Sequence, residues 1–374
     1  MKTLRILTLA LPCILTCALT VSGQQRSQAG VVQELHNGPK NIGEVSKTFN
    51  NPMGRGADPF IIKHNGLYYR VWSNGRGFRV SESRFLTRAE RIAQAWIAPK
   101  EGPGAHHLWA PEIHPINGKW YIYAAGADRN IGSYSNQRTF VLEADSPFGP
   151  YENKGVVYTG DDPTHETENR WAIDMTVLEL NGKLYGIWSG WEYGADHHNV
   201  SQMLYIAEME NPWTVKGTRV LLAKPELKWE KGDHIQLLEG PQVLKHGKDV
   251  FILYSTRGSW TIYYKMGQLR LKRGADPLDP NSWVKSSQPV FKGTETVYGV
   301  GHASMTTSPD DKEYWIYYHS KGAKDGGWSN RIVFMQKFDF DKAGNPIFGE
   351  PKGRGPMLRP SGEYKIELSD FKNQ

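Results

Sequence analysis

Three carboxylic acids stand at one distance ahead of three tight turns. Asp58 precedes Asn65-Gly66, Asp174 precedes Asn181-Gly182, and Glu239 precedes His246-Gly247, each eight residues before the turn glycine. A lone acid at the start of a strand is ordinary turn or capping chemistry. Three in one register are different, because carboxylates brought together repel unless a function, a cation or basic neighbours offset the cost. Two carboxyls of unequal pKa suit the cleavage of a glycosidic bond: one protonated to donate to the leaving oxygen, one ionised to activate water. The third can raise the acid's pKa by like-charge coupling and orient it. The rival reading is that the three acids hold a cation.

The elements that would position them recur along the chain. Each acid opens a hairpin: alternating apolar and polar residues, a turn, then a second apolar strand, as in Ala172–Trp191. Versions of this unit turn at Gly66, Gly118, Gly182, Gly247 and Asp311, in steps of 52, 64, 65 and 64 residues. A period of this size with about four short strands per repeat predicts an all-β, five-bladed β-propeller. In that fold the first strand of each blade lines a central channel, so the residue eight before each turn points to one mouth. Read in order, that position holds Asp58, Ala110, Asp174, Glu239 and Ala303. Further strands are expected at 139–143, 203–207, 267–271 and 332–338. Only Ser83–Ala95 reads as helical, with an outer strand followed by a turn as its alternative.

Composition bounds the partners. Lys2 and Arg5, the apolar run Ile6–Thr20 and the small residues Val21-Ser22-Gly23 predict a cleavable signal peptide over residues 1–23. Lipidation at Cys17 is the alternative, and Thr16 ahead of it fits poorly. Both cysteines, Cys13 and Cys17, fall in this segment, so disulfides and cysteine-based metal or nucleophile chemistry are excluded from a chain cut near Gly23. Residues 24–50 are polar without a sustained period and are expected to form a linker, with 51–374 as the propeller domain. The net charge of +6 is scattered and forms no basic run, and no phosphate-binding glycine loop is present, so no nucleic-acid partner is expected. Aromatic residues make up 12% of the chain, enough to serve both blade packing and the stacking of sugar rings.

The segments Gly-Ala-Asp58-Pro-Phe, Leu-Trp109-Ala-Pro-Glu112-Ile-His, Ala-Ile-Asp174-Met-Thr-Val, Glu239-Gly-Pro-Gln and Gly-His302-Ala-Ser resemble glycoside hydrolase family 43, whose members are five-bladed propellers acting with inversion. The resemblance spans roughly residues 51–360 in the family's order and spacing. It implies that Asp58 is the general base, Glu239 the general acid, and Asp174 the residue that tunes and orients the acid. It also implies that Trp109 walls a sugar pocket and that Arg331 reaches substrate hydroxyls. His302 would then lie in the channel near a cation, commonly Ca2+, or a water cluster. Each of the last three has a plainer reading, as packing, surface or core residues. Trp188-Ser-Gly-Trp191, Asn211-Pro-Trp213, Trp229-Glu230 and Ala343–Gly349 resemble the branch that releases terminal α-L-arabinofuranose from arabinan side chains. Xylosidase and galactofuranosidase activities stay open, since the three acids serve any of these sugars, as does a non-catalytic carbohydrate-binding propeller. Ala303 and Met305 depart from the bulkier polar-aromatic pairing expected there. The implied chemistry needs no cofactor, with a structural Ca2+ as the one candidate ion. The expected partner is a polysaccharide or oligosaccharide, met by a secreted or periplasmic protein with no membrane association after signal cleavage.

Overall fold

Period-two apolar residues on either side of a left-handed turn residue produce a hairpin at each expected place. The inner strands are β1 (Phe60–His64), β2 (His106–Ile116), β3 (Ala172–Leu180), β4 (Leu238–His246) and β5 (Gly301–Thr307). Each pairs antiparallel with a second strand, at Leu67–Ser73, Lys119–Ala127, Lys183–Gly190, Asp249–Thr256 and Tyr314–Lys321, and a third strand follows outside it. The computed structural model describes residues 33–35, 46–130, 134–194, 200–324 and 327–372. The expected signal segment lies outside these residues. Among the described residues no helix is long and apolar enough to cross a membrane.

The inner strands pack in the cyclic order β1, β2, β3, β4, β5 and back to β1, which closes a five-bladed ring. Closure uses the N-terminal stretch. Gly54–Arg55 adds to blade five beside Ile332 and Val333, and Thr48–Asn51 pairs with Gly355–Leu358. The stretch expected as a linker thus supplies a strand beginning at Thr48, and Phe49 packs with Trp315 and Met335 in the core between blades five and one. Hydrophobic clusters fill every other blade-to-blade interface, as where Tyr69 meets Trp120 at 4.5 Å.

Ser83–Ala95 is not helical. It runs from the end of the strand Gly77–Ser83 through a turn into the outer strand Arg91–Ile97, and Ala93 and Ala95 are buried at strand spacing. Among the described residues there is one α-helix, α1 (Glu363–Lys372), which no sequence period announces. It docks on blade one, where the buried Glu363 accepts from the Thr87 N–H and hydroxyl at 2.8 and 2.7 Å and Asp370 pairs with Arg84 at 2.9 Å.

Candidate active site

The inner strands leave regular pairing near their heads. Partners step from Ile173↔Ser189 to Thr176↔Ile187 in β3, from Glu239↔Ser255 to Gln242↔Leu253 in β4, and from Gly301↔His319 to Ser304↔Tyr317 in β5. One extra residue bulges from each, and β2 repeats the step between Trp109 and Glu112. A bulge of this kind re-aims a side chain. The residue at the bulge is left-handed: Ala110 at φ 41°, Asp174 at 56°, Gly240 at 55° and His302 at 42°, with Asp58 at 49° just ahead of β1.

This corrects the expected register. The equivalent set is Asp58, Ala110, Asp174, Gly240 and His302, so Glu239 stands one residue before the shared position and Ala303 one residue after it. The reason lies in the turns. Asn65, Asn117 and Asn181 are left-handed first turn residues with a left-handed glycine behind them, whereas in blade four Gly247 is itself the first turn residue, at φ 57°. Aligning that glycine with Gly182 shifts the count by one. In blade five a longer loop separates Thr307 from Tyr314, which shifts it the other way. Ala303, past the bulge, is buried in the blade core with Met305 packed against it, so their departure from the expected pairing affects packing and leaves the pocket wall untouched.

The acids are still brought together. Asp58, Asp174, Glu239, His302, Trp109 and Arg331 all line one cavity of about 950 Å³ at the channel mouth. Asp58 Oδ1 lies 2.9 Å from Arg331 Nη1, 3.2 Å from His302 Nδ1 and 3.3 Å from His319 Nδ1. Burial works to raise the Asp58 carboxyl, yet Arg331 and then His302 hold it well below the usual carboxylate range, while the neutral His319 accepts the Asp58 backbone N–H on Nδ1 at 3.1 Å. Asp174 Oδ2 accepts the Gly240 N–H at 3.0 Å and stands 4.0 Å from His302 Nδ1. Burial pushes Asp174 up, His302 draws it back, and the charge of Asp58 pushes it up again. Glu239 is driven upward by burial and next by Asp174, and the Tyr264 hydroxyl and His302 only partly oppose this. Since Asp174 and Glu239 share one desolvated space, their protons are exchanged as a pair, and the glutamic acid is the one that keeps its proton.

His302 connects these groups. Burial lowers it, but Asp58 and Asp174 raise its pKa to about 9, so the imidazolium persists at neutral pH. Gly240 makes room for it: a Cβ there would meet the ring at 3.0 Å. His319, held down to about 4 mainly by burial, stays neutral and lies parallel to Tyr264 at 5.3 Å. Arg331, which lines the cavity, donates Nη1 to Asp58 and Nε to the Trp328 carbonyl. Among the described residues no group of three His, Cys, Asp or Glu side chains is disposed to hold a metal ion, so no side-chain cluster supports the Ca2+ expected near His302.

Aromatic rings bound the cavity. Trp109 contacts Tyr134 at 5.1 Å, Tyr134 meets Trp328 at 5.3 Å, and Trp328 meets Trp260 at 5.4 Å. The Tyr134–Trp328 contact joins blades two and five across the head of blade one. Trp171 and Trp191 stack at 4.4 Å on another wall, and the Trp171 indole N–H donates to the Tyr134 carbonyl. Sequence reasoning missed His319, Tyr264, Gly240, Tyr134, Trp171, Trp260 and Trp328. A signal existed for His319, which pairs across the hairpin with Gly301, beside His302. The rings sit in irregular loops where no period marks them.

The profile of glycosyl hydrolases family 43 matches residues 49–346. The chain is 36% identical over 327 residues to the extracellular exo-α-(1→5)-L-arabinofuranosidase of Streptomyces avermitilis, a match covering 83% of this chain and 65% of that protein. It is 32% identical to α-L-arabinofuranosidase 43 of Humicola insolens, over 80% of this chain and 63% of the relative. The chain therefore spans just under two thirds of the length of both relatives. A solved α-L-arabinofuranosidase from Lactobacillus brevis superposes with a TM-score of 0.73 at 31% identity, covering 82% of this chain and 98% of the other.

Proposed function

The chain belongs to glycosyl hydrolase family 43, and from that premise we propose that it is an exo-acting hydrolase releasing terminal α-L-arabinofuranose from arabinan or an arabinose-substituted polysaccharide, with inversion at the anomeric carbon. The observation that carries the reading is a pair of carboxyls on one cavity with opposite protonation: Asp58 kept ionised by Arg331 and His302, and Glu239 kept protonated by burial and Asp174. In the proposed step, Glu239 gives its proton to the departing glycosidic oxygen as the bond to the anomeric carbon breaks. A water on the other face forms the new C–O bond and passes its proton to Asp58. Solvent then removes that proton and restores the one on Glu239. A carboxylate with so low a pKa is a weak base, so Asp58 acts chiefly by orienting the water and meeting positive charge on the sugar, and it accepts the proton late, once bonding has made the water acidic.

The sugar identity rests on the relatives' names together with the enclosing rings. The arc Trp109–Tyr134–Trp328–Trp260 gives the cavity an aromatic rim on which a terminal sugar ring can stack, which supports the exo reading. Secretion is supported by the signal-like residues 1–23 and by the name of the Streptomyces relative, and sequencing the N-terminus of the exported protein tests it: a start near Gly23 is expected, and a lipid on Cys17 overturns it. The functional test is a release assay with aryl α-L-arabinofuranoside, β-D-xyloside and β-D-galactofuranoside, followed by arabinan, with the first-formed anomer read by NMR. Preference for the arabinofuranoside and release of the inverted β-anomer are expected. A preferred xyloside or galactofuranoside, or a retained anomer, refutes the assignment.

A further inference from the structure

A second cavity, of about 490 Å³, adjoins the first and shares Asp58, Trp109 and Arg331 with it as a common wall. Its lining is strongly cationic. Arg55, Arg70 and Arg88 face it alongside Arg331, and Asp58, already held by Arg331, is the single carboxylate among the described lining residues. Arg70 is the telling member. It is only 9% exposed, and its guanidinium donates to the Leu86 and Arg88 carbonyls, with no carboxylate within ion-pair range among the described residues. The Nε of Arg88 is likewise buried without a partner, although its terminal nitrogens reach Glu367 at 3.3 Å. The Arg55 side chain is exposed and has no ion-pair partner among the described residues. A buried cation without a counter-charge is costly, and a cavity beside it is where the missing anion would sit.

Size and lining narrow the anion. The chamber is far larger than a bare phosphate or sulfate, and Trp72, Leu108 and Tyr317 give it apolar and aromatic faces of the sort on which sugar rings pack. Guanidinium groups match carboxylates with two parallel hydrogen bonds. We propose that this chamber is a second carbohydrate subsite, which takes a uronic acid residue of the polysaccharide with its carboxylate on Arg70 and Arg55 and its ring against Trp72. Because the two cavities share a wall, a uronate bound here lies next to the cleavage site. The enzyme would then be selective for arabinose-bearing chains that are acidic close to the branch.

The uronate's use as a substrate feature rests on the hydrolase reading; its binding does not, so calorimetry without turnover separates the two. The full protein is titrated at low ionic strength with D-galacturonate and D-glucuronate, with galactose and glucose as neutral partners, and with inorganic phosphate. Uronate binding that is weakened by salt and falls at least about tenfold in Arg70→Met and several-fold in Arg55→Ala is expected. Arg55→Ala should leave kcat/KM on the aryl arabinofuranoside unchanged, and because it removes only an exposed side chain from a strand whose pairing is through the backbone, it keeps the test decisive if Arg70→Met does not fold. Neutral sugars binding as well as uronates, phosphate binding as tightly as uronates, or uronate binding indifferent to Arg55→Ala and to any folded Arg70 variant would each overturn the subsite.

Discussion

Asp174 and Asn181 bound the same strand, β3, and both are left-handed, at φ 56° and 53°. At the tail, Asn181 and Gly182 are exposed, and a Cβ at Gly182 would meet nothing within 4 Å. At the head, Asp174 is buried, its carboxylate takes the Gly240 N–H, and the charges of His302, Asp58 and Glu239 act on it. The tail needs its left-handed residue only to reverse the chain. The head uses its own to turn a side chain out of the pleat and into the channel, in a place where neighbouring charges reset its protonation. Backbone strain of similar kind therefore costs stability at one end and positions chemistry at the other.

The sharpest way to break this comparison is to remove the proton donor at the head of β4. Glu239→Gln should lower kcat/KM on arabinan by about 10³-fold, within the range that a positioned acid contributes. On aryl arabinofuranosides with good leaving groups the loss should be far smaller, because they depart without protonation. Equal losses on both substrate types would show that Glu239 is not the acid.

A smaller effect is expected from Asp174→Asn, and it is read in a pH profile. Glu239 has a raised pKa, so activity is present below that value and is lost as the pH climbs through it. Asp174 is the second cause of the rise, after burial. Neutralising it should move the alkaline limb to lower pH, while burial keeps the limb above that of an ordinary glutamic acid. Each unit of displacement costs about tenfold in protonated acid on the alkaline side. An alkaline limb that stays in place would remove Asp174 from its tuning role.

The two ends also differ in what the sequence reveals. Asn-Gly pairs announce three of the five tails, and the spacing of the turns announces five blades, because few residues tolerate those dihedrals. The heads carry no such mark: their left-handed residues are Asp, Ala, Asp, Gly and His, chosen by what surrounds them in the folded ring. Counting back from the turns located the acids, yet it set Glu239 at a position that belongs to Gly240 and missed that His302 is the blade-five equivalent of Asp58 and Asp174. Contacts across blades, such as Asp58 with His319 and Arg331, join residues 261 and 273 positions apart, and no local pattern encodes them. The arginine-lined chamber was invisible for the same reason, since Arg55, Arg70 and Arg88 look like scattered surface charge until the ring closes.

The finest test exchanges one atom group at each end. In Gly182→Ala the added methyl meets nothing, and the φ of +75° alone is penalised, so the protein should lose about 1 kcal/mol in denaturant unfolding and keep its kcat/KM. In Gly240→Ala the φ of +55° carries a similar backbone cost, but the methyl also presses on the His302 ring at 3.0 Å. His302 must move, and with it the cation that holds Asp58 ionised and draws down Asp174 and Glu239. Stability should fall by a comparable amount, about 1–2 kcal/mol, while kcat/KM drops about tenfold or more and the acid limb of the pH profile rises as Asp58 loses part of its counter-charge. If the two alanine variants lose activity alike, or if neither shifts the acid limb, then the left-handed glycine at the head of β4 is only a turn residue like its counterpart at the tail of β3.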